Sequence, residues 1–229
     1  MSNEAALRIR LAGRALARHG LVHAYGHCSM RLDERTVLVS PGKPLGLMAP
    51  GEACLPVRID EPLPPTVLGE VRAHLAIYRR RPDVNGIVRA MPPNVMSLAA
   101  MALTPRARHG FGAYFHPRPP LLNDPQLLRS DAQAETAAET LGDARALLMR
   151  GNGCIIAGAS IEEALVLCWY LEDAARIELA ALAAGRGDEA LLGAEDAYAR
   201  ATWSGLIRER MWDFLVAGDP ERPPVGEEP

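Results

Sequence analysis

Residues 69–93, "GEVRAHLAIYRRRPDVNGIVRAMPP", decide the fold of this chain. The apolar spacing predicts a helix that Thr66 caps and that runs to about residue 81, because Pro82 stops it. The apolar run at residues 86–90 predicts a buried strand. Pro92 and Pro93 follow at once and suit the first turn of another helix. The stretch therefore reads as helix, strand and helix joined by short connections.

The end of the predicted strand carries two unexpected side chains. Arg89 and Met91 stand two residues apart, so they project to the same side of the chain. A guanidinium and a thioether thus share one face where an apolar strand ends against two prolines. We take this point as the centre of the candidate site.

Further elements are predicted on both sides of this stretch. Helices alternate with single or paired strands and no internal repeat appears, which indicates one mixed sheet flanked by helices. We expect a single domain over residues 1–217 and a mobile C-terminal tail over 218–229. The remaining predicted elements are helices over 4–19, 93–101, 131–141, 160–184 and 194–217, a hairpin of strands 27–32 and 36–40, and strands over 54–59, 144–150 and 153–158.

Composition limits the classes of function. The 229 residues are 48% hydrophobic and 23% charged, with a net charge of -3, which is typical of a globular protein with a real core. The arginines are scattered, so we expect no nucleic-acid partner. No apolar run reaches the length of a membrane span, and residues 1–20 form an amphipathic helix rather than a signal peptide. We expect a cytoplasmic protein without a membrane partner, whose four cysteines are buried free thiols.

Several segments together resemble a known family. These are "YGHCSMRL" (25–32), "VLVSPG" (37–42), residues 69–93 and the stretch from "ALLMRGNGC" to "IELAAL" (146–182). In order and spacing they resemble the class II aldolase/adducin family, which includes sugar-phosphate aldolases, ribulose-phosphate epimerases and decarboxylases of hydroxylated aromatic acids. The Gly-His-x-Ser turn and "LLMRGNG" are closest to the decarboxylase-like branch.

The resemblance implies an α/β fold of three layers, in which helices cover a central, mostly antiparallel sheet. It also implies a homo-oligomer, usually a tetramer, with active sites between subunits. Members of the family hold a divalent metal through a His-x-His motif and a third histidine, and an acidic residue acts as acid or base. These positions correspond here to Arg89, Met91 and Asn152, with Glu70 as the acidic residue.

The residues at these three positions argue against the usual metal. A guanidinium cannot ligate, a thioether is a poor ligand for hard divalent ions, and one Asn oxygen cannot hold an ion alone. We therefore expect no metal and no other cofactor. A relocated metal through His74, one helical turn after Glu70, or through His27 stays open as an alternative.

The candidate catalytic residues are therefore Glu70 and Arg89. Arg89 offers a permanent cation and a planar fork of donors that suits a carboxylate or an enolate. Glu70 suits a general acid or base. The alternative is an Arg89–Glu70 ion pair that only fills the space of the lost metal.

The candidate substrate-binding residues follow the family's anion-binding turns. The first turn reads Gly26, His27, Cys28, Ser29, although His27 could also be a structural turn residue. The second turn contains Ser40 and Lys43, with Lys43 as an anion contact. Leu68 and Gly69 replace a serine pair, so hydroxyl donors for a sugar phosphate are missing. Asn152 also belongs to this set, as do Tyr114 and His116 in an aromatic loop. The two loop residues either approach a neighbouring subunit's site or pack at an interface.

Three functions fit these residues. The first is a divergent, metal-independent carbon–carbon lyase, of aldolase or decarboxylase type, on a small anionic substrate that bears a carboxylate. The second is a catalytically silent binding or scaffold protein, as the loss of three ligands at once suggests. The third is an enzyme of changed reaction type, such as an isomerase, dehydratase or cyclase.

Overall fold

The computed structural model describes residues 2–222, which form seven α-helices and seven strands. Most predicted elements are present within a few residues of the expected bounds. The helices are α1 (Ser2–Arg18), α2 (Val71–Arg80), α3 (Pro93–Ala100), α4 (Asp131–Leu141), α5 (Ile161–Ala183), α6 (Ala194–Arg200) and α7 (Ile207–Val216). The strands are β1 (His27–Arg31), β2 (Thr36–Val39), β3 (Leu55–Arg58), β4 (Gly86–Ala90), β5 (Leu121–Leu122), β6 (Ala146–Met149) and β7 (Cys154–Gly158).

The strands form one sheet in the order β3-β2-β1-β4-β7-β6-β5. All neighbours are antiparallel except β5 and β6, which are parallel. The predicted hairpin of β1 and β2 is confirmed, with Ser29 opposite Val39. Strand β4 lies between β1 and β7, so its buried apolar residues are covered on both edges and both faces. This central place explains why the stretch at 86–90 is mostly apolar.

Helices cover both faces of the sheet, which confirms the predicted three layers. On one face, α1, α3, α5 and α7 pack on alternate strand residues such as Val88 and Ile156. On the other face, α2 and α4 pack on the intervening residues such as Ile87 and Ile155. All four cysteines are buried free thiols, as expected. Within residues 2–222, no helix is both long enough and apolar enough to cross a membrane.

The start of α2 differs from the prediction. Residues 66–70 form turns rather than helix, and Glu70, not Thr66, occupies the N-cap position before Val71. Pro64 and Pro65 begin a turn whose backbone bond from Val67 N to Pro64 O closes before the helix. The correction matters because it places the Glu70 carboxylate at the tip of α2 rather than within it.

The predicted last helix is also wrong as a single element. Helix α6 ends at Arg200 and α7 begins at Ile207. Between them, the Thr202 hydroxyl accepts a hydrogen bond from Ser204 N at 3.1 Å, and Gly205 and Leu206 have φ of 75° and 60°. Side-chain bonds to the backbone compete with helical bonds, and two residues with positive φ end a right-handed helix.

The start of the expected tail is packed rather than mobile. Asp219 is buried and accepts hydrogen bonds from Arg14 and Arg18 of α1. Glu221 accepts hydrogen bonds from Arg10 and Arg14. Residues 223–229 of the predicted tail lie outside the described residues.

Candidate active site

The candidate site lies where β1 begins and β4 ends, beside the turn from β6 to β7. Antiparallel pairing brings these strand ends together at the same end of the sheet, with His27 directly opposite Arg89. A cavity of about 660 Å³ opens there. Its lining includes predicted and unpredicted residues, namely Ala24, Tyr25, Gly26, His27, Gly42, Lys43, Pro44, Leu68, Gly69, Glu70, Arg89, Met91, Leu127, Arg129 and Asn152.

Arg89 forms the charged floor of this cavity. Its side chain is 3% exposed, and Nε lies 3.1 Å from Glu70 Oε2. Its Nη2 donates a hydrogen bond of 2.6 Å to Asn152 Oδ1. Its Nη1 is buried and finds no hydrogen-bond partner among the described residues. Because an unpartnered buried N–H is costly, the free face of this guanidinium is suited to an acceptor supplied by a ligand.

Glu70 and His27 stand beside this guanidinium. Glu70 Oε2 lies 3.6 Å from His27 Nε2, and the Glu70 side chain is 28% exposed. Burial raises the pKa of Glu70, but the nearby His27 ring and the charge of Arg89 outweigh it, so the net pKa is lowered. Burial lowers the pKa of His27, and Arg89 adds to this effect while Glu70 opposes it. At neutral pH the pair is therefore an ionised carboxylate beside a neutral imidazole.

A second histidine, His74, is fully buried and packs against the His27 ring. His74 lies on α2 one turn after Glu70, and its Nδ1 shares a hydrogen bond of 2.7 Å with Ser29 Oγ. The Ser29 hydroxyl also lies 3.0 Å from the Tyr78 hydroxyl. Burial lowers the pKa of His74 well below its usual value, and His27 and Arg89 add to the shift. Ser29 thus holds His74 rather than lining the cavity.

Two glycines allow the backbone to close around the site. Gly153 has φ of 80°, and a Cβ there would lie 2.2 Å from Ala90 O. A Cβ at Gly26 would lie 2.3 Å from Val22 Cγ2 and 3.0 Å from Arg89 O. The turn that presents Asn152 to Arg89 therefore requires glycine for both its conformation and its space.

The two candidate residues of the second predicted turn, Ser40 and Lys43, have different places in the structure. Ser40 is buried, and its Oγ accepts a hydrogen bond of 3.1 Å from Cys28 N. It stabilises the β1–β2 pair and does not line the cavity. Lys43 does line the cavity, and its Nζ lies 2.9 Å from Glu52 Oε2.

The aromatic loop lies away from this cavity within its own chain. Tyr114 is buried, donates a hydrogen bond to Thr202 O and packs against Tyr170 and Trp203. His116 packs against Tyr198. Neither residue lines the cavity, so their contact with a neighbouring chain's site stays a prediction.

Sequence reasoning missed several cavity residues. Arg129 is exposed, forms no ion pair within residues 2–222, and its charge contributes to the lowered pKa of Glu70. Tyr25 and Leu127 form apolar parts of the wall and are 68% and 48% exposed. Tyr25 precedes the Gly-His-x-Ser turn directly, which was an available signal, whereas Arg129 and Leu127 belong to a loop without a recognisable motif.

The donor set does not fit the metal that the resemblance implies. Arg89, Met91 and Asn152 do converge on one cavity, so the three corresponding positions lie together. They offer a cation, a thioether and a single amide oxygen, a set without the imidazole or carboxylate ligands that hold divalent ions in proteins. Within residues 2–222, no group of three His, Cys, Asp or Glu side chains is placed to hold a metal ion.

Comparison with known proteins agrees with this fold. The family model described as Class II Aldolase and Adducin N-terminal domain matches residues 8–179. A 3,4-dihydroxyphthalate decarboxylase of Arthrobacter keyseri is 30% identical over 201 residues, which cover 77% of this chain and 78% of that protein. Beta-adducin of Homo sapiens is 24% identical over 232 residues, which cover 90% of this chain and 30% of that protein. The crystal structure of L-fuculose-1-phosphate aldolase from Thermus thermophilus superposes with a TM-score of 0.72 at 26% identity and covers 82% of this chain and 100% of that one.

Proposed function

The chain belongs to the class II aldolase and adducin family, and on that premise we propose that it is a metal-independent carbon–carbon lyase. Its reaction is of the decarboxylase type, and its substrate is a small anion that bears a carboxylate. The observation that carries this proposal is that Arg89 lines the cavity while its buried Nη1 has no hydrogen-bond partner within residues 2–222. A residue that merely filled the space of a metal would gain nothing from a free donor beside a cavity.

The first step is binding of the substrate anion. Within residues 2–222, the cavity lining carries the cations Lys43, Arg89 and Arg129 and a single carboxylate, Glu70. This excess of positive charge favours an anionic ligand. The apolar wall favours a substrate body with few hydroxyl groups, in agreement with the loss of the serine pair at Leu68 and Gly69. An aromatic or other unsaturated acid meets both requirements.

Chemistry then depends on Arg89 and Glu70. In a hydroxylated aromatic acid, Glu70 accepts the proton of a ring hydroxyl and then delivers it to the ring carbon that bears the carboxylate. The bond from that carbon to the carboxylate breaks, CO₂ leaves, and the electron pair restores the aromatic ring as a phenolate. A proton from solvent then converts this phenolate into the phenol product. Arg89 stabilises the negative charge on oxygen during these steps, and the lowered pKa of Glu70 keeps it ionised for the first one.

His27 completes the acid–base arrangement. Both ring nitrogens of this buried imidazole lack a hydrogen-bond partner within residues 2–222, and the ring lies beside Glu70. A neutral imidazole offers one donor and one acceptor. We assign His27 to substrate binding and to proton exchange with Glu70.

The proposal extends to assembly and place in the cell. We propose a cytoplasmic homotetramer in which the aromatic loop approaches a neighbouring chain's cavity, with His116 as the contact residue and the buried Tyr114 supporting the loop from within its own chain. The exposed apolar residues at the cavity, Tyr25 and Leu127, support a covering partner surface. Light scattering at several protein concentrations tests the oligomeric state.

A scaffold function is the second candidate. The contact of Arg89 Nε with Glu70 at 3.1 Å favours it, since each charge already has a partner. The similarity to beta-adducin points the same way. In that case the cavity binds a partner or ligand and releases no product.

The experiment is a decarboxylation assay on the purified protein. 3,4-Dihydroxyphthalate is the first substrate, because the relative from Arthrobacter keyseri acts on it, and a series of hydroxylated benzoates and L-fuculose 1-phosphate follows. The released CO₂ and the aromatic product are both measured, once with added Mn²⁺ or Zn²⁺ and once with a chelator. We expect turnover that is insensitive to the chelator.

Three variants make the assay decisive. Arg89→Met and Glu70→Gln should each lower kcat/KM by at least about 100-fold, the loss expected for removal of a transition-state hydrogen bond or a general base. Arg80→Met, an exposed arginine of α2 that pairs with Glu135 and Glu139, is the matched control and should retain full activity. Absence of turnover with every substrate supports the scaffold function, and activity that requires an added metal overturns the metal-independent mechanism.

A further inference from the structure

Three arginines on one face of α1 hold the C-terminal segment of the domain. Arg14 donates from Nε and Nη2 to Asp219 at 2.8 and 2.6 Å, and Arg18 Nη1 donates to the same carboxylate at 2.8 Å. Arg10 donates from Nε and Nη2 to Glu221 at 2.8 and 2.7 Å. We call Asp219 and Glu221 the acidic clasp. It joins the first helix to the far end of the described chain.

Two of these arginines, Arg10 and Arg14, also hold the loop over residues 48–52. Arg10 Nη1 donates to Glu52 O at 2.8 Å, and Arg14 Nη1 donates to Met48 O at 3.2 Å. Glu221 binds the loop directly as well, because its Oε1 accepts a hydrogen bond of 3.0 Å from Gly51 N. The clasp and the loop are therefore two sides of one hydrogen-bonded unit.

The loop in turn fixes a side chain of the cavity. The Glu52 carboxylate accepts hydrogen bonds of 3.0 and 2.9 Å from Lys43 Nζ and one of 2.8 Å from Ala49 N. Lys43 lines the cavity beside Glu70 and Arg89. It is also the single lysine among the 25 lysine and arginine residues of the chain. All the remaining residues of this set are arginines, so the position beside the cavity is the one that has a primary amine.

We propose that the acidic clasp is a positioning device for the cavity, and that Glu221 fixes the place of Lys43 through Arg10, Gly51 and Glu52. The side chains of Arg10 and Arg14 are each 7% exposed. Without the clasp their charges would lie buried without carboxylate partners, a costly state. They would then turn to new acceptors or to solvent and release the carbonyl groups of the loop.

The clasp itself is strongly ionised. Hydrogen bonds from Arg10, and further from Arg14 and Gly51, lower the pKa of Glu221 to about 2 although burial opposes them. The carboxylate is therefore present at every physiological pH. The positioning effect is a constant part of the structure rather than a switch.

The single lysine provides a direct test that needs no substrate. The chain has two kinds of amine, Lys43 Nζ and the N-terminal amine, so trace acetylation with acetic anhydride followed by peptide mass spectrometry reports on Lys43 alone. The N-terminal amine serves as the internal standard. In the wild type, the bond to Glu52 should keep the Lys43 amine slow to react.

The variants separate positioning from general stability. Glu52→Ala removes the contact at Lys43 and sets the upper limit of labelling. Glu221→Gln should raise the labelling rate about five-fold, which corresponds to loss of about 1 kcal/mol of hydrogen-bond free energy. Asp213→Asn is the matched control, because it neutralises an exposed carboxylate that pairs with Arg222 and contacts no α1 arginine. It should leave the rate unchanged.

One pattern of results overturns the inference. If Glu221→Gln lowers the melting temperature but labels like the wild type, the clasp is only structural. Glu221→Asp covers a failure of Glu221→Gln to fold, since it keeps the charge but shortens the reach, and a wild-type labelling rate in that variant counts equally against positioning. The proposed lyase activity is independent of this outcome, because labelling reads the loop and not turnover.

Discussion

Replacement of Glu70 by glutamine tests the electrostatics of the candidate site most sharply. The Arg89 side chain is 3% exposed, so its charge depends on the carboxylate 3.1 Å away. Loss of one partner of a fully buried ion pair costs about 3–5 kcal/mol. Glu70 is 28% exposed and therefore partly screened, so we expect the lower part of this effect, about 2–3 kcal/mol. For a chain of this size, that lowers Tm by about 5–10 °C.

A double-mutant cycle isolates the pair itself. In Arg89→Met no buried cation remains, so a further Glu70→Gln change should cost at most about 0.5 kcal/mol. The cycle should therefore give a coupling free energy of about 2 kcal/mol. Urea unfolding followed by tryptophan fluorescence measures each corner, at one fixed protein concentration because an oligomer's apparent stability depends on it. A coupling free energy below about 0.5 kcal/mol would refute the placement of a buried, carboxylate-dependent cation at residue 89.

Other predictions test the remaining parts of the structure. Gly153→Ala should destabilise the protein by more than about 2 kcal/mol, because φ at this residue is 80° and the new Cβ would lie 2.2 Å from Ala90 O. The control is Gly185→Ala, since residue 185 also has a positive φ but has open space around the new Cβ. Thermal unfolding compares the two variants. The stability difference between wild type and Glu221→Gln should be fully present above pH 4.5, the ordinary pKa of Glu, and should vanish as the pH falls to about 2, because the folded-state pKa is lowered. Urea midpoints at stepped pH check this, and a difference that grows towards acid would contradict it. Prolonged dialysis against a chelator should leave Tm unchanged, and a fall in Tm that Zn²⁺ or Mn²⁺ reverses would reveal a bound metal.

Local signals in the sequence predicted a mixed sheet flanked by helices, whereas the three layers and the mostly antiparallel pairing were implied by the resemblance to the family. The central strand at 86–90 is apolar at all but one position, as a strand buried on both faces should be. Helix α5 begins at the start of the predicted helix over 160–184, where the Ser160 side chain accepts a hydrogen bond from Glu163 N. The start of α2 was misplaced because Thr66 resembles a cap although the chain turns once more before the helix begins. No local rule distinguishes these two cases.

The candidate site was predictable only in part. Antiparallel pairing of known strand ends brings His27, Arg89 and Asn152 together, and motif positions anticipated all three. The roles of Ser29 and Ser40 depend on tertiary contacts with His74 and Cys28, so a serine in a binding motif proved to be structural in this chain. Arg129 reaches the cavity from a distant loop, and only the folded chain shows that proximity.

The position of Arg89 also constrains how this cavity could be rebuilt. Histidines introduced at residues 91 and 152 alone would place any divalent ion beside a permanent guanidinium, and like charges at such short range repel strongly where little water screens them. Residue 89 must therefore be replaced first, or together with the others, before the new imidazoles can bind a divalent ion. Stepwise introduction of a metal site in this cavity would pass through an intermediate in which Glu70 has lost its cation and no metal ion yet replaces it, so the present arrangement is hard to change by single substitutions.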